Sequence, residues 1–161
     1  MFTLLPMSAA APAVVQPGFN YESVKQKKKM LISDEDISCL ITATYFENKD
    51  DTDIGIKAVA HTIVNRTHDG RFKPTVCQTV KQRVGGHWQF SYQADKRRKI
   101  SEPEAYRNVS RLVHYIVDNN EPDFTHGAVM FHNRRVHPRW KNTVRIGSFG
   151  QHVYYKLRRD I

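Results

Sequence analysis

The stretch SEPEAYRNVSRLVHYIVDNN, residues 101–120, repeats apolar side chains at three- and four-residue spacing: Val109, Leu112, Val113, Ile116 and Val117. Only a helix gathers such a set on one side. Ser101 stands where a cap belongs, Pro103 falls near the first turn, and Glu104 has capping-box spacing. A helix with one apolar face needs other elements to cover it, so the rest of the chain must fold onto this one. The face itself is core and carries no chemistry.

Two further helices answer that need. In SDEDISCLITATYFE, Ser33 is a good N-cap, three acids occupy the first turn, and Ile37, Leu40, Ile41, Thr44 and Tyr45 form a stripe. Glu47 lies on or beside that stripe, straight after two aromatics. In DIGIKAVAHTIVNR, residues 53–66, Ile56, Val59, Ala60, Ile63 and Val64 keep the helical period; Asp53 can cap it and HDG ends it. A short helix opens after Pro74. In RVGGHWQFSYQAD, Trp88, Phe90 and Tyr92 alternate with polar residues, which fits a short strand or an aromatic-lined loop. GAVMFHN and GQHVYYK read as β-strands, separated by a basic loop with Pro138 and Trp140. Helices followed by a small sheet give an α+β, mainly α architecture.

At 161 residues the chain suits one domain. The expected division is a flexible N-terminal arm with a basic connector over 1–32 and a folded domain over 33–161. The first twenty residues lack a basic start, and Pro6 interrupts their apolar stretch, so the expectation is an arm rather than a signal peptide. No apolar run is long enough to span a bilayer. The 25 Lys+Arg against 16 Asp+Glu give a net charge of +9, which favours polyanionic partners such as nucleic acid, anionic lipid or cell wall. Cys39 and Cys77 are too few for a disulfide scaffold and lack metal-site spacing; buried free thiols are expected.

Three groups of residues compete for chemistry. A carboxyl held against apolar groups, as Glu47 would be beside Tyr45 and Phe46, keeps its proton near neutral pH and can protonate a glycosidic oxygen. The histidines His126, His132, His137 and His152 lie near Asp123 but lack the HxxxH spacing of a metal helix, and Ser91 lacks a GxSxG elbow. Arg134, Arg135, Arg139 and Lys141 could track phosphates while Trp140 or Tyr154 stacks a base, although no recognised nucleic-acid motif accompanies them.

The segments CLITATYFENKDDTDIGIKAVAHTIVNR, RFKPTVCQTV, QFSY, DFTHGAVMFHNRRVHPRW and GQHVYY, in that order, resemble the SleB/CwlJ-like cell-wall hydrolases from about Cys39 to Tyr155. Glu47 falls on the family's catalytic glutamate in Y-x-E, Asn65 and Arg66 on its NR, and Gln89, Phe90 and Ser91 on its QFS. Asp123 and Thr125 match D-x-T, Gly127 and Ala128 match GA, and Phe131 and His132 an aromatic-His pair. Val136, Pro138 and Trp140 match V-x-P-x-W, and Gly150 with His152 matches G-x-H. Three departures stand out. NKDD replaces the usual A-R-G-E and puts Asp51 at the second acid; Trp88 replaces a cysteine before QFS that could pair with the one matching Cys77; and IGSFGQH is locally lengthened.

That resemblance implies a lysozyme-like helical domain acting on peptidoglycan as a lytic transglycosylase or muramidase, with Glu47 as general acid and no metal or organic cofactor. Asp51 is the possible second acid if water is the nucleophile. Phe46, Tyr92 and Trp140 are candidates for sugar-ring contacts, and Gln89, Ser91, His132 and Asn133 for hydrogen bonds to the glycan. The expected partners are peptidoglycan strands and anionic envelope surfaces, with no specific nucleic acid and a monomeric state. The expected setting is the bacterial cell wall, reached as a bacteriophage endolysin or virion-associated lysin made in the host cytoplasm or carried in the virion. The competing class is a non-catalytic basic protein that binds nucleic acid or wall.

Overall fold

The computed structural model describes residues 30–159. Most of the expected arm therefore lies outside the described residues, but its last part does not: Met30 and Ile32 pack against the core. Four helices follow one another as α1 (Asp34–Asn48), α2 (Asp53–Thr67), α3 (Val76–Val80) and α4 (Pro103–Asn119). Two short strands, β1 (Arg83–Val84) and β2 (His87–Trp88), form a hairpin between α3 and α4. A 3-10 turn over Ser91–Ala94 comes next. The aromatic segment is thus a small hairpin and then a turn, so both sequence readings hold in part. Strands β3 (Met130–Asn133), β4 (Thr143–Phe149) and β5 (His152–Leu157) make an antiparallel sheet in the order β3-β5-β4. This is the mainly α, α+β architecture expected.

Helix α2 is the centre of the domain. It packs on α1, α3 and α4 and on strands β3 and β4, so burial extends past its apolar stripe to Gly55, Ala58, His61, Thr62 and Arg66. Its cap is Thr52, whose Oγ1 accepts from Gly55 N at 3.3 Å; Asp53, the expected cap, is the first helical residue. Helix α1 starts as anticipated, with Ser33 Oγ accepting from Asp36 N at 3.1 Å. On α4 the five anticipated apolar residues are all buried.

The start of α4 differs from expectation. No side chain at its own N-terminus caps it. Instead the buried hydroxyl of Tyr45, on α1, accepts from Ser101 N at 3.3 Å and Glu102 N at 3.2 Å. A long-range acceptor satisfies these donors and locks α4 to α1.

Strand β4 was not anticipated, because Arg145, Gly147 and Ser148 break any alternation. The IGSFGQH segment lies here: the β4–β5 register shifts between Arg145 and Gly147, leaving Ile146 as a bulge, and a two-residue turn of Gly150 and Gln151 joins the strands.

The two cysteines are not free. Cys39 on α1 and Cys77 at the start of α3 form a disulfide across a Cα–Cα distance of 5.3 Å. Their separation of 38 residues gave no sign of it, and the packing of α1 on α3 brings them together. A bridge closing a loop of this length stabilises the fold by about 4 kcal/mol on chain-entropy grounds. Reduction should therefore lower the urea midpoint substantially, as followed by circular dichroism with and without a phosphine reductant; an unchanged midpoint would show that the bridge contributes little.

Candidate active site

Glu47 occupies the last turn of α1, where the stripe of that helix meets the aromatic segment. Phe46 stacks on Tyr92, with centroids 4.8 Å apart and planes 20° apart, and also meets Tyr45 edge-on at 5.1 Å. These rings form one wall beside the carboxyl. Glu47 also lines a cleft of about 180 Å³ with Phe46, Asn48, Asp51, Asn133, Gln151 and His152 among the other residues around it. No described residue donates a hydrogen bond to its carboxylate. Burial pushes its pKa up from 4.5 to about 7, against the opposing charges of Arg66 and Arg98. The burial of Tyr92 and the nearby Glu47 charge together push that phenol up to about 12.

Arg66 is the unusual neighbour. It is 5% exposed, and Phe72, Phe90 and Phe131 surround its guanidinium at 5.1, 5.2 and 5.9 Å. Its Nε donates to Val129 O at 2.7 Å, while Nη1 has no hydrogen-bond partner among the described residues. Burial lowers its pKa to about 10, and the negative charge of Glu47 works the other way. At neutral pH it remains a cation whose field reaches Glu47.

Asp51 has the opposite environment. Its carboxylate accepts from Asn48 Nδ2 at 3.0 Å, Thr52 N at 2.7 Å, Thr52 Oγ1 at 3.3 Å and Gln151 N at 2.7 Å. Its side chain is 3% exposed. Burial alone would raise its pKa, but these hydrogen bonds together hold it below the usual aspartate value. A Cβ placed on Gly55 or on Gly150 would overlap this carboxylate, and Gly150 also has a φ of +57°. The acid therefore lies between two glycines and ties the α1–α2 corner to the β4–β5 turn. With its lone pairs taken, it is poorly placed to activate water.

The sheet sorts the remaining candidates by face, since successive residues of a strand point to opposite sides. Asn133 pairs with His152, and both line the cleft; Phe131 pairs with Tyr154 and stacks on it at 5.9 Å. Tyr154 is fully buried, with its hydroxyl 3.5 Å from Gly55 O, so it is not available to stack on a base. His132 alternates to the other face. There it bonds Tyr155 Oη at 3.1 Å and meets Trp140 at 5.5 Å, in an aromatic group separate from the Asn133 side. Gln89 and Ser91 flank Phe90 ahead of Tyr92 and are not among the residues lining the cleft. Sequence reasoning passed over Asn48, Gln151 and Arg98. Only Arg98 had a signal, the charge run directly after QFSYQ.

His152 is buried, its Nδ1 lacks a hydrogen-bond partner among the described residues, and Asp51 Oδ2 lies 3.9 Å away. Burial lowers its pKa, the Asp51 charge opposes this, and His132 adds to the lowering. No group of three or more His, Cys, Asp or Glu among the described residues could hold a metal ion. His61 lies 3.1 Å from Glu121 and 3.9 Å from Asp123, in a network that fastens α2 to the loop before β3. A larger hollow, about 480 Å³, opens beside Met30, Val64 and Val76, away from Glu47; its ionisable residues are Asp36 and His68. Chemistry, rather than size, selects the cleft at Glu47.

A helical domain with a small sheet, holding a protonatable carboxyl beside an aromatic wall, has the form of a lysozyme-like enzyme. Residues 50–155, two thirds of the chain, match the cell wall hydrolase family (Hydrolase_2), and the chain belongs to it. The matched span begins three residues after Glu47. Among solved structures, the catalytic domain of the germination-specific lytic transglycosylase SleB from Bacillus anthracis superposes with a TM-score of 0.59 at 24% identity. That alignment covers 79% of this chain and 98% of the other. The SleB catalytic domain of Bacillus cereus gives 0.56 at 24% identity, over 78% and 92%. These likenesses show a shared fold. A search of curated proteins finds no match.

Two stability measurements follow. Asp51→Asn should cost about 1–3 kcal/mol at pH 7, because donors gathered around the carboxylate lose part of their acceptor. The native pKa of Asp51 lies below its unfolded value, so its charge-dependent contribution is present above that range and is lost as pH falls through the native pKa. The gap between wild type and variant should accordingly narrow in acid, as read by urea titration at pH 7 and at pH 3; a constant gap would count against the linkage. Glu47 has the reverse sign. Its raised pKa means that ionising it costs folding stability above pH 4.5, so Glu47→Gln should raise the melting temperature at pH 8 and change it little at pH 4.

Proposed function

We propose that this domain cleaves the β-1,4 bond between N-acetylmuramic acid and N-acetylglucosamine in peptidoglycan as a lytic transglycosylase, with Glu47 as its single acid and base. The observation that carries the reading is the contrast between two nearby carboxyls. Glu47 reaches the cleft with no donor among the described residues and a pKa near 7, while Asp51 is saturated by hydrogen bonds. One carboxyl is free to move protons and the other is committed to structure.

In the first step protonated Glu47 donates to the glycosidic oxygen as the bond from C1 of the muramic residue to that oxygen breaks. The leaving residue departs with a free 4-hydroxyl, and positive charge develops at C1. The new Glu47 carboxylate is stabilised by the field of the buried Arg66. In the second step the C6 hydroxyl of the same muramic residue attacks C1 and gives its proton to Glu47, which closes a 1,6-anhydro ring and restores the acid. A pKa near 7 suits both duties, because the group must lose and regain one proton per turnover. Phe46 and Tyr92 supply a wall for a sugar face, and Asn133 and Gln151 supply amides for N-acetyl and hydroxyl groups. Family membership supports the cell wall as the site of action, with an endolysin or virion-associated lysin as one such setting.

Muropeptides released from purified peptidoglycan should be anhydro forms, one water lighter by mass spectrometry than hydrolytic products. Reducing ends would instead identify a muramidase, and no release would defeat the enzymatic reading. Glu47→Gln should lower the rate by about a hundred-fold or more. The wild-type rate should fall above pH about 7, as Glu47 loses the proton needed for the first step.

A further inference from the structure

The cleft carries a charge pattern that its acid does not need. Just past Tyr92 the chain runs Asp95-Lys96-Arg97-Arg98-Lys99, all exposed. Arg97 leans on Asp95 at 3.5 Å. Arg98 lies over the ring of Phe46 at 5.6 Å, and its charge reaches Glu47. Lys96 and Lys99 have no acidic partner among the described residues. A second basic group follows Asn133, which lines the cleft. Arg134 N donates to Gln151 O and Arg135 N to Asn133 Oδ1, each at 3.0 Å, so their backbone is fixed. Both side chains are exposed and unpaired among the described residues. Lys49, at the same cleft, shows the alternative: it is neutralised by Asp50 at 2.7 Å and Glu102 at 2.6 Å. Other cations without an acidic partner among the described residues include Lys73, Lys81, Arg139, Lys141 and Lys156. The two groups here differ from those in following directly on, or resting against, residues that build the site.

We infer that Lys96, Arg98, Lys99, Arg134 and Arg135 form an anion-binding rim for the carboxylates of the peptide stems carried by the muramic acid residues in the cleft. The inference rests on peptidoglycan being the substrate. The glycan backbone offers hydroxyl and N-acetyl groups without charge, so a site reading sugars alone gains nothing from cations. A cation beside a general acid also has a disadvantage, since it favours the ionised form that cannot donate. Stem carboxylates remove that conflict. Once one is bound, the charge of Arg98 is partly cancelled, and Glu47 holds its proton to higher pH in the complex than in the free enzyme. The rim thereby ties recognition of a stem-bearing strand to the readiness of the acid.

Peptidoglycan stripped of phosphate-bearing polymers provides the test, in two forms: stems intact, and stem carboxylates converted to methylamides with carbodiimide. Binding is read by co-sedimentation of the Glu47→Gln protein, which does not depend on cleavage. The intact form should bind about ten-fold tighter at low salt, as a handful of exposed ion pairs supplies, and the gap should close with added sodium chloride. Adding K96Q, K99Q, R134Q and R135Q should remove most of the gap, leaving the share of Arg98, and the pairs K96Q/K99Q and R134Q/R135Q should each reduce it. Equal binding to both forms, or a gap that the substitutions leave intact, overturns the inference. A gap that appears only before the phosphate polymers are stripped assigns the rim to those polymers and also overturns it. With wild type, the alkaline limb of kcat should lie above that of kcat/KM on intact strands and coincide with it on methylamidated ones. If neither form is cleaved while the binding gap persists, the reaction assignment fails and the rim stands.

Discussion

The Asp51 carboxylate accepts from donors at the α1–α2 corner and from Gln151 in the β4–β5 turn, and the relative placement of helices and sheet depends on it. Glu47 is four residues away on the helical side; Gln151 and His152 belong to the sheet. The cleft is the space between these parts. Its geometry is held by hydrogen bonds to a charged acceptor, among the stronger ones available to a protein. The glycines at 55 and 150 are part of the same arrangement, because any side chain at either would occupy the volume of the carboxylate.

The site also separates two uses of a buried charge. Arg66 is enclosed by phenyl rings and one carbonyl, where it stays cationic at neutral pH without a salt bridge to any described residue. Glu47 is enclosed enough to resist ionisation but retains access to the cleft. A direct pairing of the two would have given a carboxylate of low pKa and no acid. Aromatic faces let the positive field be present without a hydrogen bond to Glu47, which keeps the proton available.

Much of the helical half was legible in the sequence. The stripe on α4 depends only on local periodicity, and its five residues are buried as expected. The all-round burial of α2 was not legible, because it requires α1, α3, α4 and the sheet to cover the helix at once. Strand β4 lacks alternation, and its partner β5 supplies its order. Misassignments arose where a partner was distant: Tyr45 Oη replaces Ser101 as the acceptor at the start of α4, and Cys39 meets Cys77 through the packing of α1 on α3. Within the site, the position of Glu47 beside Tyr45 and Phe46 could be anticipated, whereas the saturation of Asp51 required Gln151, one hundred residues along the chain. The face of a strand residue depends on register, so His132 and Asn133, adjacent in sequence, serve different sides.

The disulfide between Cys39 and Cys77 has a topological consequence. The covalent ring it closes contains Glu47, Asp51, Gly55 and Arg66, together with all of α2. A protease that cuts the chain once inside this ring opens a loop but releases no fragment, so the acid, its clamp and its buried cation remain one molecule. A nick there becomes an injury that the domain can carry rather than a separation of its parts.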